Sequence, residues 1–207
     1  MPFSSLLSIS PTALFGLVIG YLLGSIPFGL LFGYAFGEGD VRTIGSHSIG
    51  ATNVLRTGNY AAAALTLLFD ALKGAAAVAF TWGYIGPDAA LFAGLGAFIG
   101  HLYPVWLKFK GGKGIAVSLG ILFALYWPVA LLSLATWGAV TAYFRISSLS
   151  ALVAAVLTPF YLLAFGKNHE AFLAVILAML VFLSHRENIR RLLRGEEPRI
   201  GAKSPTT

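Results

Sequence analysis

The sequence predicts an all-α polytopic membrane protein with seven transmembrane helices, its N-terminus outside and its C-terminus in the cytoplasm. Three observations carry that expectation. Hydrophobic residues make up 57% of the 207 positions and charged residues only 11%, and mean hydropathy is +0.82. Soluble domains carry about a quarter charged residues, so there is too little charge here to coat a water-facing surface. The apolar runs are unbroken rather than alternating at period two, which argues against a transmembrane β-barrel. The bases, 14 against 8 acids, gather between the runs. The absence of cysteine excludes a disulfide scaffold, and the hydrophobicity excludes disorder.

A bilayer core takes roughly 20 apolar residues to cross. The first span runs from Pro11 to Phe36, with Gly24, Pro27, Gly29 and Gly33 inviting a bend near its end. It lacks the basic start and small-residue cleavage site of a signal peptide and is expected to be retained. Span two is Tyr60–Tyr84, span three Asp88–Phe109, span four Gly114–Trp127, span five Pro128–Phe144, span six Ser147–Phe165 and span seven His169–His185. Gly114 to Phe144 as one helix would reach about 46 Å, too long for a core of about 30 Å.

Basic residues fix the count. With seven spans, Arg42, Arg56, Lys108, Lys110, Lys113, Arg145, Arg186, Arg190, Arg191, Arg194, Arg199 and Lys203 share one side. The other side holds only Lys167, and Lys73 lies inside span two. Six spans would erase the bias, so the positive-inside rule selects seven. The whole chain, 1–207, reads as a single integral membrane domain.

Three polar segments on the cytoplasmic side mix glycine with base: 44–56, 108–114 and 185–197. In the first, Gly45 and Gly50 let the backbone approach an anion. Ser46, Ser48, Thr52 and Asn53 supply short hydrogen-bonding groups, and Arg56 can grip a phosphate through two parallel N–H bonds. The same residues also suit a tight turn that caps span two. In the second, Lys110, Gly111, Gly112, Lys113 and Gly114 open a helix, a natural place for an anion, or else an ordinary positive-inside loop. It is not a Walker A loop, because Gly114 follows the lysine. The third starts where span seven leaves the membrane. Ile189, Leu192 and Leu193 share a helical face. A basic lipid anchor accounts for its arginines but less well for His185, Glu187 and Asn188.

Asp70 and Lys73, three residues apart inside span two, can pair. Intramembrane charges are functional candidates by default, although a structural ion pair fits equally. His101 reads as a polar contact leading into the lysine loop. The histidines are scattered without metal-ligand spacing, and no Gly-x-Ser-x-Gly elbow exists. No nucleic-acid site is expected, since the bases are juxtamembrane.

These segments resemble the three motifs of the bacterial acyl-phosphate:glycerol-3-phosphate acyltransferase family. The likeness spans nearly the whole chain. It includes Gly24-Ser25-Ile26-Pro27-Phe28-Gly29, Asp70-x-x-Lys73-Gly74, Gly100-His101-x-Tyr103-Pro104, Phe109 through Gly114, and His185-x-Glu187-Asn188-Ile189-x-Arg191-Leu192-Leu193. The resemblance implies seven transmembrane helices in a bacterial inner membrane with the active site facing the cytoplasm. It implies transfer of a fatty acyl group from acyl phosphate to the 1-hydroxyl of glycerol 3-phosphate, the first step of phospholipid synthesis, with no cofactor, metal or obligatory protein partner. The family's motif serine and arginine fall on Ser46 and Arg56, its lysine on Lys113, and its histidine, glutamate and asparagine on His185, Glu187 and Asn188.

One departure stands out. Where the family has Gly-Ser-Gly-Asn, this chain has Gly45-Ser46-His47-Ser48. If the replaced glycine needs a left-handed backbone, His47 must adopt it. Histidine does so more readily than most residues. On this reading Ser46, Arg56 and Lys113 hold phosphoryl groups with His185 nearby, and Glu187 and Asn188 orient hydroxyls or brace arginines. The competing expectation is a membrane transporter of an anionic phosphorylated metabolite, which would predict mid-membrane helix breaks and an inverted repeat.

Overall fold

The computed structural model describes residues 10–201, so Lys203, counted above with the cytoplasmic bases, lies outside the described residues. Those residues form nine α-helices joined by short turns, with no strand among them. They divide into two compact units, the first ending at Leu125 and the second beginning at Tyr126.

In the first unit, α1 (Pro11–Gly24) starts at an N-cap serine. Ser10 Oγ accepts from the Ala13 N–H at 3.1 Å, and Pro11 occupies the first turn, where its missing N–H costs nothing. Helix α1 lies directly against α5 (Pro87–Leu102). Gly16, Gly20 and Gly24 fall four residues apart and face Ala89, Ala93 and Ala97. A Cβ on any of these glycines would come within 2.3 Å of a facing carbonyl oxygen. Gly96 and Gly100 return the fit from the other side. Lipid gives helices no hydrophobic reason to associate, so close backbone approach over small residues does that work. Gly24, expected to bend the span, is thus part of a packing stripe. The bend falls one residue later, across Ser25–Pro27, before α2 (Phe28–Ala35).

Helix α3 (Ala51–Val54) is a single turn extended by a 3₁₀ turn, Leu55–Thr57. Asn59 then caps α4 (Tyr60–Tyr84), accepting from the Ala62 N–H at 2.9 Å. A small apolar core of Leu30, Val41, Ile49, Val54, Ala62 and Ala63 lies beneath the first polar segment. Gly29 lets the Ile49 backbone close onto α2.

Helix α6 (Ile115–Phe144) is continuous except at Tyr126, whose φ of −159° and ψ of 89° are extended. Pro128, two residues on, cannot donate to the preceding turn. The sequence places a span boundary at Trp127–Pro128; the backbone breaks at Tyr126. In the second unit, α7 (Ser147–Ala164) and α8 (Asn168–Ser184) precede α9 (Arg186–Leu193), and α8 and α9 meet at 65°. By length and composition, five stretches of the described chain can cross a membrane, or six when α8 and α9 count as one bent span.

Candidate active site

The first segment is organised by one buried side chain. Asn53 Nδ2 donates to the carbonyls of Val41 (2.7 Å) and Ser48 (2.8 Å). Its Oδ1 accepts from the Ser46 N–H at 2.9 Å, from Ser46 Oγ at 3.3 Å and from Arg56 Nη1 at 3.4 Å. Both donors and the acceptor are therefore used inside the loop. Asn53, expected to touch substrate, is where the loop is tied together. Ser46 and Arg56 are brought to a common atom, while Thr52 faces solvent. Gly45 has φ +57°, and a Cβ there would lie 2.5 Å from both Arg56 Nη1 and Asn53 Oδ1.

His47 has φ +54° and occupies the left-handed region that a glycine fills in the family pattern. Its ring compensates with a local bond, Nδ1 to the Arg42 carbonyl at 2.8 Å. Ser48 is buried, and its Oγ accepts from the Gly50 N–H at 3.2 Å.

The second segment is held by backbone. The Gly111 N–H donates to the Leu102 carbonyl and the Gly112 N–H to the His101 carbonyl, each at 3.0 Å. The Lys110 N–H is likewise spent on Leu107. These three amides, expected to be available to an anion, are spent on backbone carbonyls of α5 and of the turn that follows it. The glycines serve close approach instead. A Cβ on Gly111 would lie 2.0 Å from the His101 carbonyl oxygen, and one on Gly112 would lie 2.1 Å from His101 Nε2. Gly114, with φ +86°, fits under the Phe98 ring at the start of α6. Lys110 is exposed and Lys113 partly so.

Behind this loop lies a buried polar group. Lys73 Nζ is 2.7 Å from Asp70 Oδ1 and 2.9 Å from His101 Nδ1, and it donates to the Ile26 carbonyl at 2.8 Å. The Asp70 contact is an ion pair, and neither of its carboxylate oxygens has a hydrogen-bond partner among the described residues.

In the third segment, His185 is buried at the α8–α9 corner. Its Nδ1 donates to the Val181 carbonyl at 2.9 Å and lies 3.2 Å from Ser184 Oγ. With a carbonyl as its acceptor, Nδ1 carries a ring proton. Glu187 is exposed and pairs with Arg190 at 2.8 Å and Arg186 at 3.7 Å. Asn188 is buried and donates to Glu197 Oε1 at 2.5 Å.

Homology decides what these loops belong to. A family model described as glycerol-3-phosphate acyltransferase matches residues 14–195. The chain belongs to the glycerol-3-phosphate acyltransferase family. Its relatives of that name include one from Bradyrhizobium sp. (strain BTAi1 / ATCC BAA-1182), 59% identical over 90% of this chain and 94% of its own. Another, from Mesorhizobium japonicum, is 58% identical over 92% of this chain and 97% of its own. Among solved structures, the glycerol 3-phosphate form of PlsY, an integral membrane acyltransferase, aligns with a TM-score of 0.86. It shows 38% identity over 91% of this chain and 96% of its own. The lysophosphatidic acid form aligns with a TM-score of 0.85 at the same identity, over 91% of this chain and 95% of its own. The transporter expectation gives way to this acyltransferase family.

Within the family frame, two side chains that the sequence reading passed over matter in the third segment. Glu197 accepts from Asn188, from Ser148 Oγ at 2.7 Å and from Arg191 Nε at 2.7 Å. Burial alone would raise its pKa, but these three donors outweigh it and hold the carboxyl below its usual value. An acid amid the bases of 185–197 was the available signal. Ser148, far away in sequence, gave none.

Proposed function

We propose that this membrane acyltransferase takes its acyl group from acyl phosphate and delivers it to the 1-hydroxyl of glycerol 3-phosphate. Acylation of glycerol 3-phosphate as such follows from the family; the donor, the position acylated and the residue roles are the proposal. The observation that carries it is the match over nine-tenths of the chain to PlsY, solved in forms with glycerol 3-phosphate and with lysophosphatidic acid.

Acyl phosphate is a mixed anhydride and already activated, so no covalent enzyme intermediate is needed. The hydroxyl oxygen attacks the acyl carbonyl, the carbon–oxygen bond to phosphate breaks, and lysophosphatidic acid and phosphate leave. Both substrates are anionic. Ser46, Arg56 and Lys113 are assigned to phosphoryl groups, where cations also stabilise the developing oxyanion. Holding two reactants in place is itself a large part of the acceleration. Two groups are candidates to take the hydroxyl proton: the leaving phosphate, or His185. Retention of most kcat in His185→Ala selects the phosphate.

The apolar groove of about 810 Å³ between α7 and α8, lined by Val156, Phe160, Val175 and Met179 and ending at Arg186, is a suitable seat for a fatty chain. The proposed topology has seven crossings, counting α6 as two halves about Tyr126 and α8 as one. The N-terminus is outside and the motif segments face the cytoplasm of a bacterial inner membrane, and the whole chain serves as one acyltransferase domain. The test uses purified protein, acyl phosphate and glycerol 3-phosphate, with phosphate release as the readout and acyl-carrier donors as the comparison. Release with acyl phosphate alone supports the donor. Release only with carrier donors reassigns it, and no release with either rejects the reading.

A further inference from the structure

Three ionisable side chains lie buried in the first unit, and the proposed chemistry uses none of them. Asp70, Lys73 and His101 are each at most 4% exposed. The Lys73 ammonium has three close neighbours: it hydrogen-bonds His101 and the Ile26 carbonyl and forms an ion pair with Asp70 at 2.7 Å. Because Lys73 can only donate, His101 Nδ1 is the acceptor, and the ring carries its proton on Nε2.

Each link ends on something that needs holding. The Ile26 carbonyl sits in the break between α1 and α2. There the Leu30 N–H bonds Pro27 instead, leaving Ile26 with the Phe28 N–H at 3.2 Å and Lys73. A bare carbonyl inside a membrane is costly. The His101 ring is what the lysine loop rests against. The three atoms nearest a Cβ on Gly112 all belong to that ring, while a Cβ on Gly111 meets only backbone and Pro104. Apolar residues would hold the helices together as well as a buried ion pair does. Directional bonds add control of the ring's orientation.

We propose that Asp70, Lys73 and His101 are positioning residues for the lysine loop. Asp70 fixes the Lys73 ammonium, Lys73 fixes the His101 ring, and the ring sets where Gly112, and with it Lys113, stands at the end of α5. The inference rests on reading Lys113 as a phosphoryl-binding residue.

The test is steady-state kinetics on a set of variants beside the parent. Gly112→Ala pushes on the ring, and an ångström-scale shift of a positioned group costs up to about 100-fold in rate. The expected result is a rise of about tenfold in KM for one of the phosphorylated substrates, with kcat falling less. His101→Ala removes the ring and raises KM to a similar extent, and adding Gly112→Ala to it raises KM little further, because the atoms the new methyl would meet are gone. Adding Gly111→Ala to His101→Ala raises KM further, because the Gly111 obstacle is backbone and Pro104. Asp70→Leu with Lys73→Met keeps the packing and loses the bonds, and it raises KM like Gly112→Ala. Asp70→Asn with Lys73→Gln keeps polar partners and holds KM within about threefold of the parent, a cost of the order of one weakened hydrogen bond.

A merely structural role would lower the active fraction, and so kcat, at constant KM; that pattern overturns the proposal, as does a KM effect of Gly112→Ala that is as large without the ring as with it. If the parent itself is inactive with both donors, the functional reading has failed separately. Amide exchange at Gly111 and Gly112 then decides the positioning: faster exchange in the Leu/Met variant supports it, and unchanged exchange refutes it.

Discussion

The two glycine-rich loops of the first unit look alike in sequence and are held in opposite ways. In 44–56 one buried side chain, Asn53, gathers two carbonyls, an amide, a hydroxyl and a guanidinium. In 108–114 the fastening is amide to carbonyl, Gly111 to Leu102 and Gly112 to His101. Glycine accordingly means different things in the two places. Gly45 provides a left-handed backbone, φ +57°, whereas Gly111 and Gly112 provide the absence of a side chain. The lesson is that a glycine beside a base marks an anion loop only after its amides have been accounted for.

The sharpest way to break this comparison is Asn53→Ala. It strands the Val41 and Ser48 carbonyls and releases Ser46 and Arg56 together. Each buried group left without a partner costs about 1–3 kcal/mol, so a loss of activity of about 100-fold or more and a clear fall in thermal stability in detergent are expected. Activity within threefold of the parent would mean that the loop is held by something other than Asn53.

Gly111→Ala is the matching test of the second loop. The new methyl meets the carbonyl oxygens of His101 and Leu102 and Pro104 Cδ, at 2.0, 2.7 and 2.6 Å. Overpacking against atoms that cannot swing away costs about 1–3 kcal/mol. Gly50→Ala is the control, since its nearest neighbour is Ser48 Oγ at 3.5 Å and its φ of −76° suits any residue. Kinetics on the pair should show a substantial loss for Gly111→Ala and near-parent behaviour for Gly50→Ala. Equal losses would refute the close-approach explanation.

How much of this could be read beforehand follows the same division. Helices came from long apolar runs, and the boundaries of α4 were legible because Asn59 and the run beginning at Tyr60 are local signals. The helix break at Tyr126 was legible within two residues, because Pro128 acts on its own helix. The motif residues were found as a set. Their division into groups that face outward and groups that brace was not, because bracing depends on contacts far apart in sequence. Asn53 reaches Val41 twelve positions back, and Glu197 reaches Ser148 forty-nine positions back. The bend after Gly24 was legible from Gly24 and Pro27, but the packing stripe of Gly16, Gly20 and Gly24 was not, because a close approach is defined by the partner helix, here Ala89, Ala93 and Ala97.

The second unit sharpens the comparison, since Glu197 takes there the part that Asn53 takes in the first loop. Its carboxylate holds Asn188, Ser148 and Arg191, and its lowered pKa gives the sign of the pH effect. Stability from such a group is present above the unfolded carboxyl pKa and is lost as pH falls through the lower folded value. Amide exchange around Asn188 should therefore stay slow through neutral and mildly acidic pH and rise below the usual carboxylate range. Glu197→Gln should exchange faster at neutral pH and lose that acid-side change. An identical acid profile in the glutamine variant would assign the effect to another group.

The smallest expected effect concerns His47, where this chain departs from its family's pattern. Two opposing terms act at the position. A non-glycine residue in the left-handed region is strained by roughly 1–2 kcal/mol. Against that, the ring bonds the Arg42 carbonyl at 2.8 Å, a bond with a net value of about 1 kcal/mol. His47→Gly relieves the first and forfeits the second, so its stability and kinetics should stay close to the parent's. His47→Val keeps the φ requirement, cannot make the bond and adds a β-branch that the left-handed region rejects, so it should be destabilised by about 1–3 kcal/mol. The two variants together separate backbone from side chain. Loss in both would make the imidazole itself the important group. Loss in neither would mean that the loop tolerates a second backbone conformation at residue 47. Loss only in the valine variant would show that the loop needs the left-handed turn and that histidine is one acceptable way of filling it.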